Sequence, residues 1–82
     1  MKQIFEAFLS GTENKVDGIA RPVSVAGYTT PYDFKSIDGR LHLLIGKDES
    51  ENWVRIGGTE PYFSSWVNEL AQQIAKHKRR QL

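Results

Sequence analysis

Asp38-Gly39, set between two stretches of alternating apolar and charged residues, is the feature that most narrows what this chain can fold into. A type I′ turn needs positive φ at both central residues, and Asp-Gly is one of the few pairs that accept it. A two-residue turn there fixes the pairing of the flanking strands. Ile37 falls opposite Arg40, Lys35 opposite His42, Phe34 opposite Leu43 and Tyr32 opposite Ile45. In this register Tyr32, Phe34, Leu41, Leu43 and Ile45 share one face, while Asp33, Lys35, Arg40 and His42 share the other. A slip of one residue would turn the charged set toward the core. The chain is therefore expected to form an antiparallel sheet with one apolar face, and another element must cover that face.

The last quarter of the sequence supplies the cover. Pro61 to Arg80 reads as an amphipathic helix in which Phe63, Val67, Leu70, Ala71, Ile74 and Ala75 recur at spacings of three and four. Thr59 or Glu60 is the expected N-cap, with Pro61 in the first turn, where its missing N–H is not needed. At the other end, Ile4, Phe5, Phe8 and Leu9 form two i,i+4 pairs. They predict a short helix from Lys2 to Ser10 stopped by Gly11, with a strand as the alternative for so short a segment. Thr12 to Gly18 reads as a loop. Ile19 to Val25 reads as a strand, placed at an edge or bulged because Pro22 cannot donate to a ladder. Gly27 to Pro31 is a turn, Gly46 to Asn52 a polar loop, and Trp53 to Ile56 a strand ended by Gly57-Gly58. The expected class is α+β: a small two-layer domain with a three- to four-stranded antiparallel sheet, a C-terminal amphipathic helix and a short N-terminal helix on one face. Residues 1–82 form one domain, and residues 76–82 its basic, frayed C-terminal end.

Eighty-two residues lie near the lower limit for a core without covalent staples. The absence of cysteine excludes disulfides, thiolate metal sites and cysteine nucleophiles. No apolar run approaches the roughly 20 residues of a membrane span, and the first residues do not read as a signal peptide. A cytoplasmic protein without membrane contact is the expectation. The net charge of +1 conceals an asymmetry. Residues 1–75 carry seven Lys or Arg against ten Asp or Glu, whereas residues 76–82 carry four cations and no acid. A domain gripping nucleic acid over its whole surface would be basic throughout.

Motifs with known chemistry are weak here. Gly57-Gly58-Thr59 before a helix has the outline of an anion site, but Glu60 adds a negative charge and Pro61 removes a donor, so the glycines read as turn formers. Asp48, Glu49 and Glu51 are too closely spaced, and too near Lys47, for a calcium loop. His42 and His77 lie on different elements with neither metal-ligand spacing nor a nucleophile beside them. Ser64 and Ser65 stand in the helix and not on a nucleophile elbow. No catalytic, cofactor or metal residue is assigned, and the reading is non-enzymatic.

The outward sheet face carries the functional expectation. Lys35, Arg40, His42 and Leu44 project there, joined by Trp53 and Arg55 if Val54 and Ile56 face the core. Basic residues beside a tryptophan suit a protein hot spot or base stacking. Lys35, Arg40, His42, Trp53 and Arg55 are thus the expected partner-binding set, for a protein partner or a second copy. Lys76, Lys78, Arg79 and Arg80 complement the helix dipole and offer a second contact, to nucleic acid or an acidic protein surface. The helix–strands–helix order resembles the double-stranded RNA-binding domain in topology alone. That family grips phosphates with lysines at the start of its second helix, where this chain has Glu60-Pro61-Tyr62-Phe63-Ser64-Ser65, so no family assignment follows. The primary expectation is a regulator, inhibitor or adaptor; the alternative is an accessory nucleic-acid binder.

Overall fold

The computed structural model describes residues 4–10, 15–60 and 63–80. Five strands, β1 (Phe5–Ser10), β2 (Lys15–Pro22), β3 (Thr29–Ser36), β4 (His42–Lys47) and β5 (Trp53–Gly58), precede one helix, α1 (Ser65–Arg80). The strands form a single antiparallel sheet in chain order, each beside its sequence neighbour. The α+β, sheet-plus-helix architecture matches the sequence reading. The sheet has five strands, however, and not three or four.

The extra strand is the N-terminal segment, expected as a helix. A spacing of four satisfies a strand as well as a helix, because it is twice the strand period of two. Phe5, Ala7 and Leu9 turn inward, while Glu6, Phe8 and Ser10 stay exposed. The part of that reading covering residues 2 and 3 lies outside the described residues. The stretch expected as a loop, Thr12 to Gly18, already belongs to β2 from Lys15 onward; residues 12–14 lie outside the described set. Pro22 is neither on an edge strand nor in a bulge. It closes β2, an inner strand, past the last β1–β2 pair, Phe5 with Ala20. Val23 N–H bonds the Pro31 carbonyl at 3.0 Å, so the Pro22 nitrogen points to the β1 side, where the ladder has ended.

The central hairpin has the expected register: Lys35 opposite His42, Phe34 opposite Leu43, Tyr32 opposite Ile45. Its turn differs. Among the described residues Asp38 does not have positive φ, whereas Gly39 does (78°). Gly39 N–H bonds the Ser36 carbonyl at 2.9 Å and Ser36 N–H bonds the Leu41 carbonyl at 2.9 Å. Ile37 is not paired with Arg40, since its N–H bonds the Asp17 carbonyl of β2 at 3.0 Å. The Asp38 carboxylate accepts from Arg40 N–H at 3.0 Å and from the Ser36 hydroxyl at 2.7 Å. These donors, the Arg40 N–H foremost, lower its pKa from the ordinary aspartate value.

The core lies between the inner face of the sheet and α1. Ala7, Leu9, Ala20, Tyr32, Phe34, Leu43 and Ile45 meet Trp66, Leu70, Ala71 and Ile74 there, with Phe5, Leu41, Trp53 and Val67 at its margin. The helix begins later than Pro61: the Phe63 and Ser64 carbonyls accept the N–H groups of Trp66 and Val67 at 3.0 and 3.3 Å, and α1 starts at Ser65. Neither Thr59 nor Glu60 adjoins that start, and the role expected of Pro61 lies outside the described residues. Phe63 and Ala75, expected on the buried stripe, are exposed, and Trp66 is buried in their place. Gly18 shows how closely β2 and β3 pack within the sheet: a Cβ there would run into the Lys35 carbonyl oxygen and come within 2.5 Å of Phe34 Cζ.

Candidate interaction surface

Among the described residues, the outer face of the sheet and the seam where the edge of β1 meets α1 both present exposed side chains. Side chains alternate along each strand, so pairing defines rows across the outer face. One row is Glu6, Ile19, Lys35 and His42. The next is Arg21, Asp33 and Leu44. Phe8 stands opposite Asp17 on the other flank, where both join Ile37 in lining a shallow depression.

Asp33 is the electrostatic centre of this face. Although it points outward, it is only 8% exposed. A carboxylate withdrawn from water needs partners, and it has two: Arg21 Nε lies 3.7 Å from Oδ2, and His42 Nε2 contacts Oδ1. Arg21 and Asp33 face each other across β2–β3, whereas His42 reaches Asp33 diagonally from β4. His42 is thus engaged within the fold while keeping an exposed edge.

The structure brings together only part of the expected partner-binding set. Lys35 and His42 are cross-strand neighbours on the outer face, and Arg40 is exposed at the hairpin end. Trp53 and Arg55 are not with them. Trp53 stands opposite Lys47 and Arg55 opposite Ile45, on the core side of β5. Trp53 packs against the core, with Lys47 Nζ 5.4 Å from its ring centre. Arg55 bonds the Gly58 carbonyl at 3.0 Å and approaches Glu60 at 3.7 Å, bracing the connection to the helix. The cause is a bulge: Leu44 pairs with Gly57 but Ile45 with Arg55, so Ile56 is an extra residue that reverses the expected phase. The acidic loop is structural as well. Asp48 Oδ1 accepts from the N–H groups of Ser50 and Asn52 at 2.9 and 3.0 Å, closing the β4–β5 turn.

The sequence reading missed Arg21, Asp33, Phe8, Ile19 and Ile37. Asp33 was legible as outward-facing, but its partner Arg21 depends on the β2–β3 register, which no turn motif announces. Phe8, Ile19 and Ile37 are large hydrophobic residues left 46%, 38% and 75% exposed.

At the seam, α1 side chains complete the edge of the sheet. Gln73 Oε1 accepts from Phe8 N–H at 3.0 Å while its Nε2 donates to the Phe8 carbonyl at 2.7 Å. Glu69 Oε1 accepts from Ser10 N–H at 2.8 Å, and Trp66 Nε1 donates to the Ser10 carbonyl at 2.8 Å. Farther along, the His77 ring stacks on Phe5 with centres 4.3 Å apart, and Lys78 Nζ lies 5.8 Å from the centre of the Tyr32 ring. Burial raises the Tyr32 hydroxyl above its ordinary pKa. Lys76 is exposed beside this seam. Arg79 and Arg80 belong to the helix, but their side chains lie outside the described residues.

Among the described residues no three His, Asp or Glu side chains gather as a metal site, and no helix is long and apolar enough to cross a membrane. Comparison with protein-family models, with curated proteins and with solved structures returns no match for this chain.

Proposed function

We propose that this protein is a small non-enzymatic interaction module, acting as a regulator, inhibitor or adaptor in the cytoplasm, and that it binds a protein partner through the outer face of its sheet. The observation that carries this reading is the grouping of exposed Phe8, Ile19 and Ile37 on one half of that face. Three large exposed apolar side chains interspersed with charged ones, Asp17 between Phe8 and Ile37 and Glu6 and Lys35 beside Ile19, suit a protein interface, where apolar anchors lie among polar groups.

The charges among them are of mixed sign. Glu6, Asp17 and Asp38 alternate with Lys15, Lys35 and Arg40. Such a pattern favours a protein surface carrying both charges, a second copy included, over a nucleic acid, which would be repelled by the acids. Lys35, Arg40 and His42 remain in the proposed contact set; Trp53 and Arg55 serve the fold.

The test pairs the native protein with an Ile19→Lys/Ile37→Lys double variant. Both residues are exposed, so the variant is expected to fold. Affinity capture should recover protein partners on the native chain that the variant loses, with light scattering reporting any self-association. Equal recovery by both forms would remove the outer face from consideration. Retention of single- or double-stranded nucleic acid that falls steeply with salt would instead establish the accessory nucleic-acid reading.

A further inference from the structure

We infer that the groove between the free edge of β1 and the C-terminal half of α1 is a second binding site, which takes an extended acidic peptide as an added strand. The site adjoins the outer face at Glu6 and Phe8 but is built on the β1 edge and α1 and does not use Ile19 or Ile37, so the two surfaces can be tested apart.

β1 pairs on one side with β2 through Phe5, Ala7 and Leu9, so Glu6, Phe8 and Ser10 aim their backbone groups away from the sheet. At Phe8 the Gln73 carboxamide supplies one acceptor and one donor, as a neighbouring strand would. Glu69 and Trp66 do the same for Ser10. One strand repeat back, at Glu6, the helix offers no such pair. The Glu6 N–H and carbonyl have no hydrogen-bond partner among the described residues, and an edge in this condition is a template for another strand.

Space and charge define the occupant. A cleft of about 540 Å³ opens there, lined by Phe5, Glu6, Phe8, Gln73, Lys76 and His77. A donor and an acceptor on the same residue match a peptide backbone, which provides both, and not a phosphate, which only accepts. An added strand would lie about 4.8 Å from β1 with its side chains alternating between the two faces. Those directed to the helix would meet Lys76, which lines the cleft. Those directed outward would continue the apolar surface of Phe8. The matching sequence alternates acidic and apolar residues, with backbone bonds giving affinity and the alternation giving selectivity.

The test is a titration of the ¹⁵N-labelled full chain with an acetylated peptide of alternating valine and glutamate. Three controls accompany it: a valine–lysine peptide, the acidic peptide with alternate amides N-methylated, and the Ile19→Lys/Ile37→Lys outer-face variant. The Glu6 amide should shift downfield and exchange about tenfold more slowly on binding. Lys76→Glu should weaken binding about tenfold, while the outer-face variant binds as the native chain does. N-methylation and the lysine peptide should each abolish the effect. The inference is overturned if the N-methylated or basic peptide binds as well as the acidic one. It is equally overturned if no resonance near Glu6 and Lys76 moves, or if the Glu6 amide is already protected without peptide.

Discussion

At the scale of single residues, the backbone sets demands that the side chains must respect. A methyl group at position 18 would collide with the Lys35 carbonyl oxygen and the Phe34 ring. Gly18→Ala should therefore destabilise the fold by about 1–3 kcal/mol, as overpacking of a core does. In a domain of this size each kcal/mol lowers the thermal midpoint by about 4–8 °C, readily followed by circular dichroism. Thr30 presents the opposite case. It holds a φ of 47° where the β3–β4 register shifts, a conformation costing a non-glycine residue about 1–2 kcal/mol. Glycine removes that cost and loses about 0.5–1 kcal/mol to chain entropy, so Thr30→Gly should gain up to about 1.5 kcal/mol in urea unfolding. Asp38 contributes a pH dependence. Its folded pKa is depressed, so its stabilisation is present above the unfolded value near 3.9 and is lost as pH falls through the lower folded value. Unfolding midpoints measured down the acid limb should fall less steeply for Asp38→Ala than for the native chain.

At the scale of elements, the seam between β1 and α1 shows a helix closing the edge of a sheet. Gln73→Leu removes both bonds to Phe8 and should cost about 0.5–1.5 kcal/mol. The Phe8 amide should exchange faster by local opening in that variant, whereas the Leu43 amide, inside the sheet, should speed up only in proportion to the loss of global stability. The same elements show what the sequence could and could not disclose. The β3–β4 register was legible because only one pairing separates Tyr32, Phe34, Leu43 and Ile45 from Asp33, Lys35 and His42. The helix stripe was legible at Leu70, Ala71 and Ile74. β1 was ambiguous because Phe5 and Leu9 are four residues apart, a spacing that both periods allow. The side of β5 was hidden by the bulge at Ile56, which inverts Trp53 and Arg55 and leaves no local mark in composition. Of the outer face, Lys35 and His42 were visible from alternation. The Arg21–Asp33 contact required knowledge of which strand lies beside β3.

For the whole molecule, a meander of neighbouring strands is held together by its last element. Trp66, Leu70 and Ile74 are buried against the sheet, each contributing roughly 1.5–3 kcal/mol by removal from water. Their sum rivals the about 5–15 kcal/mol of stability typical of an entire domain. A chain ending at Glu60 should therefore lack a stable sheet, detected as loss of the far-ultraviolet β signal and gain of dye binding to exposed apolar surface. The helix thus covers one face of the sheet and leaves the other exposed.

The bond from the Trp66 indole to the Ser10 carbonyl has an optical consequence. Trp66 is 7% exposed and sits where the first strand meets the last helix. Only one other tryptophan is present, Trp53 at the far edge of the sheet. In a Trp53→Phe background the emission of Trp66 alone should be blue-shifted and should redden when the two ends of the chain separate. The protein thus carries its own fluorophore at the joint, able to report without any label when that joint opens.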